Sequence, residues 1–247
     1  MNVKVLASGS EGNCVWIGND KTGILIDAGL PKTKIEKILL DNDIDPTKLD
    51  AVFITHEHKD HCQGLAFADK YKIPIYASEG TLKGLGRLDT GKIVKASGGN
   101  IFDALRMSFV MVEAFKVHHN AAEPLGYTVN GNGMKVSVMM DTGRVTDEMI
   151  HAMRWSDVYV FECNHDEDMV IDGPYHDSLK QRVLRDHMSN NDAAEALAKL
   201  IRGQGERIFL THMSSTNNMP ALALGTVKRA LKAKGFIAGQ HYQLEVI

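Results

Sequence analysis

The sequence predicts a mixed α/β protein, read as one domain over residues 1–247. Three observations lead there. Short β-like apolar runs crowd the first half. In the second half such runs alternate with segments of helical spacing. No linker, repeat or low-complexity tract interrupts the 247 residues, whose 44% hydrophobic and 24% charged content is that of a globular chain with a core.

The elements follow in order. Val3–Leu6 is an apolar run, succeeded by the small-residue loop Ala7–Asn13. Cys14–Ile17 and Gly23–Ile26 are two more β-like runs, the second ending at Asp27. Pro31 suits a helix start, and Ile35, Ile38 and Leu39 have helical spacing. Ala51–Ile54 and Ile73–Tyr76 read as strands, with a helix over Leu65–Tyr71 between them. The Gly- and Lys-rich stretch Leu82–Asn100 reads as a surface excursion. Met107–Val112, Tyr127–Val129 and Val136–Met140 are strand candidates, the last running into Asp141. Helices are expected over Thr146–Met153, Ser178–Arg185, Asn191–Arg202 and Thr226–Ala233, with Ser189 and Asp192 as a capping pair before the third. Val158–Phe161, Ile208–Leu210 and Tyr242–Val246 complete the strands.

Composition narrows the function classes. With 28 Lys+Arg against 31 Asp+Glu the net charge is −3, which excludes a supercharged nucleic-acid tail. No run of about 18 apolar residues exists to span a membrane, and the first residues lack the apolar stretch of a secretory signal. Cys14, Cys62 and Cys163 are scattered and odd in number, which argues against a disulfide framework. The expectation is a cytoplasmic protein of undetermined oligomeric state. Lys228, Arg229, Lys232 and Lys234 outnumber Glu245 near the C-terminus and read as a solvated helix face, with a polyanion-facing patch as the alternative.

Histidine carries the chemistry. Thr55–Cys62 reads THEHKDHC, so an apolar strand releases His56, His58, Asp60 and His61 within six residues. Imidazoles and carboxylates at the end of a rigid strand suit borderline divalent metals. Four potential ligands are more than one tetrahedral ion readily uses, so the spacing points to two adjacent metals. His118 and His119 follow Phe115–Val117, Asp141 follows VSVMM, and His212 follows RIFLT. Catalytic metal sites draw ligands from several strand ends and keep a position open for water.

The segment THEHKDH resembles the His-x-His-x-Asp-His motif of the metallo-β-lactamase fold. The order His56, His58, Asp60, His61, His119, Asp141, His212 follows that family's ligand order over nearly the whole chain. The resemblance implies an αββα sandwich, two mixed β-sheets flanked by helices, with metals at one edge. It implies that His56, His58 and His119 hold the first ion, that Asp60, His61 and His212 hold the second, and that Asp141 bridges. His119 is preferred over His118 because HNAAEPLGY matches the family's His-(Asp/Asn)-Ala-Ala-Glu-Pro stretch. ASGSEGN, FECNHD, GPY, SLKQRV and HMSNNDAAEALA resemble the YycJ/WalJ-type branch, which implies a 5′-to-3′ DNA exonuclease. Lys59, where a small Ser is commoner, and the extra imidazole of His118 are departures.

HMSNNDAAEALAKL followed by RIFLTHMSS resembles the tRNA 3′-processing nucleases, where a His paired with an upstream Glu protonates the leaving oxygen. The matching residues are His187 and Glu162, while Asp60 would orient the attacking water. Lys180, Arg182 and Arg185 on one short helix, with His165 and Tyr175, are candidate phosphate or nucleotide contacts. Ser214 and Ser215 precede an expected helix start with N–H groups for a phosphate oxygen, and Ser10 and Asn13 lie in the N-terminal loop. Cys62 and Cys163 read as small buried residues. The metals would be Zn, Mn or Fe, since one N/O ligand set suits all three. Two alternatives stand beside the exonuclease. One is a hydrolase of the same fold acting on a small cyclic phosphodiester, lactone or thioester. The other is a metal-stabilised regulatory protein without turnover.

Overall fold

Residues 1–96 and 105–247 are described by a computed structural model, and they divide into two compact units. The first comprises Met1–Lys116 and Ala121–Met134, the second Val117–Asn120 and Lys135–Ile247.

The first unit opens with β1 (Asn2–Ala7), β2 (Cys14–Gly18), β3 (Gly23–Ile26), α1 (Lys32–Asp41) and β4 (Leu49–Phe53). It continues with α2 (Lys59–Cys62), α3 (Ala66–Tyr71), β5 (Ile75–Ala77), α4 (Glu79–Gly84) and β6 (Lys92–Ile93). β1 to β6 form one mixed sheet in sequence order, antiparallel through β3 and parallel from β3 to β6. Every residue of β2 and β3 is buried, as expected of continuous apolar runs covered on both faces. Ile35 and Leu39 of α1 and Phe67 of α3 pack with Leu25, Val52 and Ile54 in one core. Parallel pairing requires crossovers, which α1 and α3 supply. Because β3 and β4 are parallel, Asp27 and the segment from Thr55 onward leave the sheet at one edge. β7 (Leu105–Arg106), β8 (Met111–Lys116) and β9 (Leu125–Gly131) pair antiparallel.

Two expectations in this unit are corrected. Met107–Val112 is not one strand: the Met107 N–H reaches the Val110 carbonyl at 2.8 Å, closing a turn between β7 and β8. Leu82–Asn100 is not a plain excursion, since α4 runs to Gly84 and β6 adds an edge strand to the sheet. Residues 97–100 of that stretch lie outside the described residues.

The second unit holds all but the first residue of β10 (Met134–Met139), then α5 (Asp147–Met153), β11 (Val158–Glu162), α6 (Glu167–Asp172) and α7 (Asp177–Asp186). α8 (Asn190–Leu200), β12 (Glu206–Thr211), α9 (Pro220–Ala233) and β13 (Tyr242–Val246) follow. β10, β11, β12 and β13 are parallel neighbours, so Asp141, Glu162 and His212 all sit at C-terminal strand ends along one edge. The Ser189 hydroxyl caps α8 by accepting the Asp192 N–H, and α8 buries Ala193, Ala194, Ala196, Leu197 and Leu200. α9 starts at Pro220, earlier than the expected Thr226, with proline in its first turn. It buries Ala223, Val227 and Leu231 and exposes Lys228, Arg229 and Lys232, the arrangement of a solvated cationic face. Among the described residues no helix is long and apolar enough to cross a membrane.

Candidate active site

Three strand-end residues share an uncommon backbone. Asp27 after β3, Asp141 after β10 and His212 after β12 have φ of 63°, 53° and 54°. Left-handed geometry at non-glycine positions costs roughly 1–3 kcal/mol and collects at functional sites.

In the first unit the strained turn at Asp27 faces the histidine segment. The Asp27 carboxylate is fully buried and accepts the Thr55 N–H at 2.8 Å and the Thr55 hydroxyl at 2.9 Å. His61 Nδ1 donates to its other face at 2.7 Å. Burial pushes the Asp27 carboxyl up, against the pull of His61 and Thr55. With Nδ1 committed to Asp27, the His61 tautomer is fixed and Nε2 is left for another partner. That Nε2 lies 3.4 Å from Asp60 Oδ2 and 3.1 Å from the Asn13 amide. The His56 ring centroid is 4.6 Å from that of His58 and 4.1 Å from that of His61. His56, His58, Asp60 and His61 therefore gather at the sheet edge. Their loop is clamped from below: a Cβ at Gly29 would stand 1.7 Å from the Asp60 carbonyl oxygen, so only glycine permits that approach. The same carbonyl accepts the Asn13 N–H at 2.8 Å.

The second unit gathers His119, Asp141 and His212. His119 Nδ1 donates to the Asp186 carbonyl at 2.8 Å, which points Nε2 toward Asp141 Oδ2 at 3.5 Å. Burial holds His119 below the ordinary histidine pKa, which favours the neutral ring that a ligand requires. His118 differs: it is half-buried, and the Arg144 guanidinium donates to its Nδ1 at 3.3 Å. Burial and Arg144 together lower its pKa. His212 Nδ1 lies 2.6 Å from Asp141 Oδ1 and 3.2 Å from Glu162 Oε1.

Glu162, fully buried at the end of β11, is the hub of this group. Its Oε2 accepts the Thr142 N–H at 2.7 Å and the Met188 N–H at 3.3 Å, and its Oε1 stands 2.7 Å from His187 Nδ1. Burial opposes charge on both partners, yet the Glu162–His187 attraction prevails, lowering the Glu162 pKa and raising that of His187. His187 sits at the C-terminus of α7, two residues before the cap Ser189. One ligand atom from each of Asp141, Glu162, His187 and His212 falls within 4.8 Å of the others.

The expected substrate contacts fare unevenly. Ser10 is exposed and Tyr175 half-buried, both in loops. Asn13 is buried, and its amide both accepts from and donates to Gly9, at 3.0 and 3.2 Å, so it braces the loop instead of facing solvent. His165 is buried as well, with its Nδ1 unpartnered, because its backbone is drawn into pairing with Ser189 and Asn190. Lys180 Nζ is occupied by the Ile171 carbonyl at 2.6 Å. Arg182 is exposed, 3.9 Å from Asp186. The Ser214 N–H is not available to an anion, because it donates to the Asn164 carbonyl at 2.8 Å, and the helix it was expected to open starts only at Pro220. Cys62 and Cys163 have thiols raised to about 11 and about 12 by burial.

Sequence reasoning missed Asp27, Asp186 and Arg144. Asp27 repeats the signal that exposed Asp141, an apolar strand ending in aspartate. Asp186 acts through its carbonyl, for which no side-chain signal exists. The donor set, imidazoles with fixed tautomers beside carboxylates, fits divalent metal.

The comparisons agree with this geometry. The family described as Beta-lactamase superfamily domain matches residues 22–213. The chain is 37% identical to exodeoxyribonuclease YycJ of Bacillus anthracis, across 99% of this chain and 94% of that protein. It is 36% identical to exodeoxyribonuclease WalJ of Streptococcus pneumoniae, across 92% and 87%. The metallo-β-lactamase fold protein YhfI of Bacillus subtilis superposes with a TM-score of 0.71 at 17% identity, covering 99% of this chain and 95% of that one. Two mixed β-sheets flanked by helices, with divalent metal implied by the fold, are what these matches share. The chain belongs to the metallo-β-lactamase superfamily, as a metal-dependent hydrolase.

Proposed function

We propose that the protein is a cytoplasmic dinuclear phosphodiesterase that digests DNA from a 5′ end. The observation that carries the reading is the 2.7 Å contact between His187 and the buried Glu162, set beside Asp141 and His212. That contact supports reading His187 as a proton donor beside metal ligands. The nucleic-acid substrate is supported by the near-full-length similarity to two exodeoxyribonucleases. Following the family's ligand order, His56, His58 and His119 would hold one ion, Asp60, His61 and His212 the other, and Asp141 both. Two Zn, Mn or Fe ions held there would neutralise phosphate charge and acidify a water at neutral pH.

The chain's own residues do the rest. Asp60 orients the attacking water. Glu162 occupies His187 Nδ1, so the proton given up is the one on Nε2, which exists only in the imidazolium form. His187 passes that proton to the departing 3′ oxygen of the released nucleotide as its bond to phosphorus breaks, and the water oxygen bonds to that phosphorus, which stays as the 5′ phosphate of the shortened strand. Asp27 and the Asp186 carbonyl hold His61 and His119 in the tautomers that present Nε2.

The mildly acidic chain favours one competing reading, a hydrolase of small phosphodiesters, because duplex binding draws on cationic surface. One experiment separates the two. The metal-loaded protein is given linear DNA labelled at either end, closed circular DNA and small diesters. Nucleotide release from the 5′ label with an intact circle is expected. Release first from the 3′ label, cutting of the circle, or turnover of small diesters alone refutes the proposal. Metal analysis should give two equivalents, and His58→Ala or Asp141→Ala should lower that number.

A further inference from the structure

The second unit contains a cavity of about 450 Å³ whose wall includes His118, His119, Gly143, Arg144, Arg185 and Asp186. Its size is within the range of small-ligand sites. Its construction is specific. Arg185 holds the Asp186 carboxylate through Nε and Nη2, at 2.7 and 2.8 Å, which leaves Nη1 for another acceptor. Arg144 engages His118 Nδ1 through one N–H and keeps four. Asp186 does two jobs: its carboxylate orients Arg185, and its carbonyl fixes His119. A candidate ligand imidazole and a guanidinium are thus mounted on one residue. Gly143 brings the second guanidinium in. A Cβ there would lie 1.7 Å from the Arg185 carbonyl oxygen, so glycine lets the turn that carries Arg144 close onto the end of α7.

We propose that Arg144 and Arg185 form a phosphate-binding subsite, seating a DNA phosphate that flanks the one being cleaved. The proposal rests on the DNA-exonuclease reading and on His119 as a ligand. A planar guanidinium fork matches phosphate oxygens with two parallel N–H bonds. Two guanidiniums against one carboxylate make this wall cationic on a chain of net charge −3, so local charge supplies what the whole chain lacks. Lys180 and Arg182, the contacts expected from the sequence, are absent from this cavity wall, so the subsite is separate from them. It would also make the enzyme prefer a polymer over a small diester with no flanking phosphate.

The test measures binding of a cleavage-resistant phosphorothioate oligonucleotide to the metal-loaded chain between 50 and 200 mM salt. Each neutralised phosphate contributes roughly 0.7 to 0.9 to the slope of log affinity against log salt. Arg144→Gln and Arg185→Gln should each reduce the slope by about that amount and raise KM on DNA roughly tenfold, with a smaller change in kcat. Arg144→Gln is the decisive variant, because it leaves the Arg185–Asp186 pair intact. The exposed Lys228→Gln on α9 is the charge-matched control, with an unchanged slope. Unchanged slopes in both arginine variants, or an equal drop in the control, overturn the subsite. The two readings fail separately. An arginine-dependent slope without nucleotide release would defeat the exonuclease and keep the subsite. Nucleotide release with unchanged slopes would do the reverse.

Discussion

Removing the His187 imidazole should slow the chemical step while leaving the metals in place. The ring is only 18% exposed, and its Nδ1 is 2.7 Å from a carboxylate that is itself immobilised by the Thr142 and Met188 N–H groups. Glu162 cannot turn away, so its effect on His187 is to hold the ring upright and charged. Burial opposes the imidazolium; the Glu162 charge and hydrogen bond, with help from Asp141, overcome it and raise the pKa above the ordinary 6.5. A hydrogen bond to a charged partner is worth roughly 1.5–3 kcal/mol. Glu162→Gln, which removes the charge that sustains the imidazolium, should therefore lower the His187 pKa. The sign follows from the role. A general acid works while protonated, so kcat falls as pH rises through its pKa. The alkaline limb is displaced upward from the ordinary histidine pKa in the unmodified enzyme and moves to lower pH in Glu162→Gln. His187→Ala should lose that limb altogether, with kcat on DNA reduced about 10²- to 10⁴-fold. The assay is kcat against pH on DNA and on bis(4-nitrophenyl) phosphate, whose nitrophenolate leaves without a proton. Loss of metal in His187→Ala would make the residue a ligand, and equal losses on both substrates would make it a structural prop. Either result refutes the acid.

Other consequences are open to direct measurement. Asp27→Asn strips His61 of its anionic partner and should weaken metal affinity roughly 10- to 100-fold in a chelator competition; unaltered affinity would show that the tautomer needs no such support. Gly143→Ala forces a methyl against the Arg185 carbonyl and should destabilise the fold by about 1–3 kcal/mol, read as a lower Tm, whereas an unchanged Tm contradicts the tight closure of that turn. The Cys62 thiol, pushed to about 11 by burial and bonded to the His58 carbonyl at 3.1 Å, should resist iodoacetamide at pH 8 until the protein unfolds. Rapid labelling of the folded protein would count against that burial.

The strands that deliver the candidate site were legible because each is a buried apolar run, and a parallel sheet demands such runs whatever happens at their ends. Other features left no such trace. α2, α4 and α6 span four to six residues, too few for a helical period to declare itself. The cations of α7 could be counted but not aimed: only the fold shows Lys180 turned to the Ile171 carbonyl and Arg185 turned to Asp186. The Ser214 N–H met its partner Asn164 across fifty residues of sequence, beyond any local rule.

Asp27 belongs to a different category, since its signal was present and its meaning was not drawn. ILI ends in Asp27 as VSVMM ends in Asp141. Both aspartates adopt left-handed φ, and both set a buried carboxylate against an imidazole, His61 Nδ1 at 2.7 Å in one case and His212 Nδ1 at 2.6 Å in the other. The family's ligand order singles out Asp141 and passes over its counterpart. The physical pattern does not distinguish them: an apolar strand that ends abruptly in a carboxylate has bought a strained turn, and a fixed histidine is what each turn obtains. Reading strand ends by that rule, before any motif is matched, would have placed Asp27 behind His61 from the sequence.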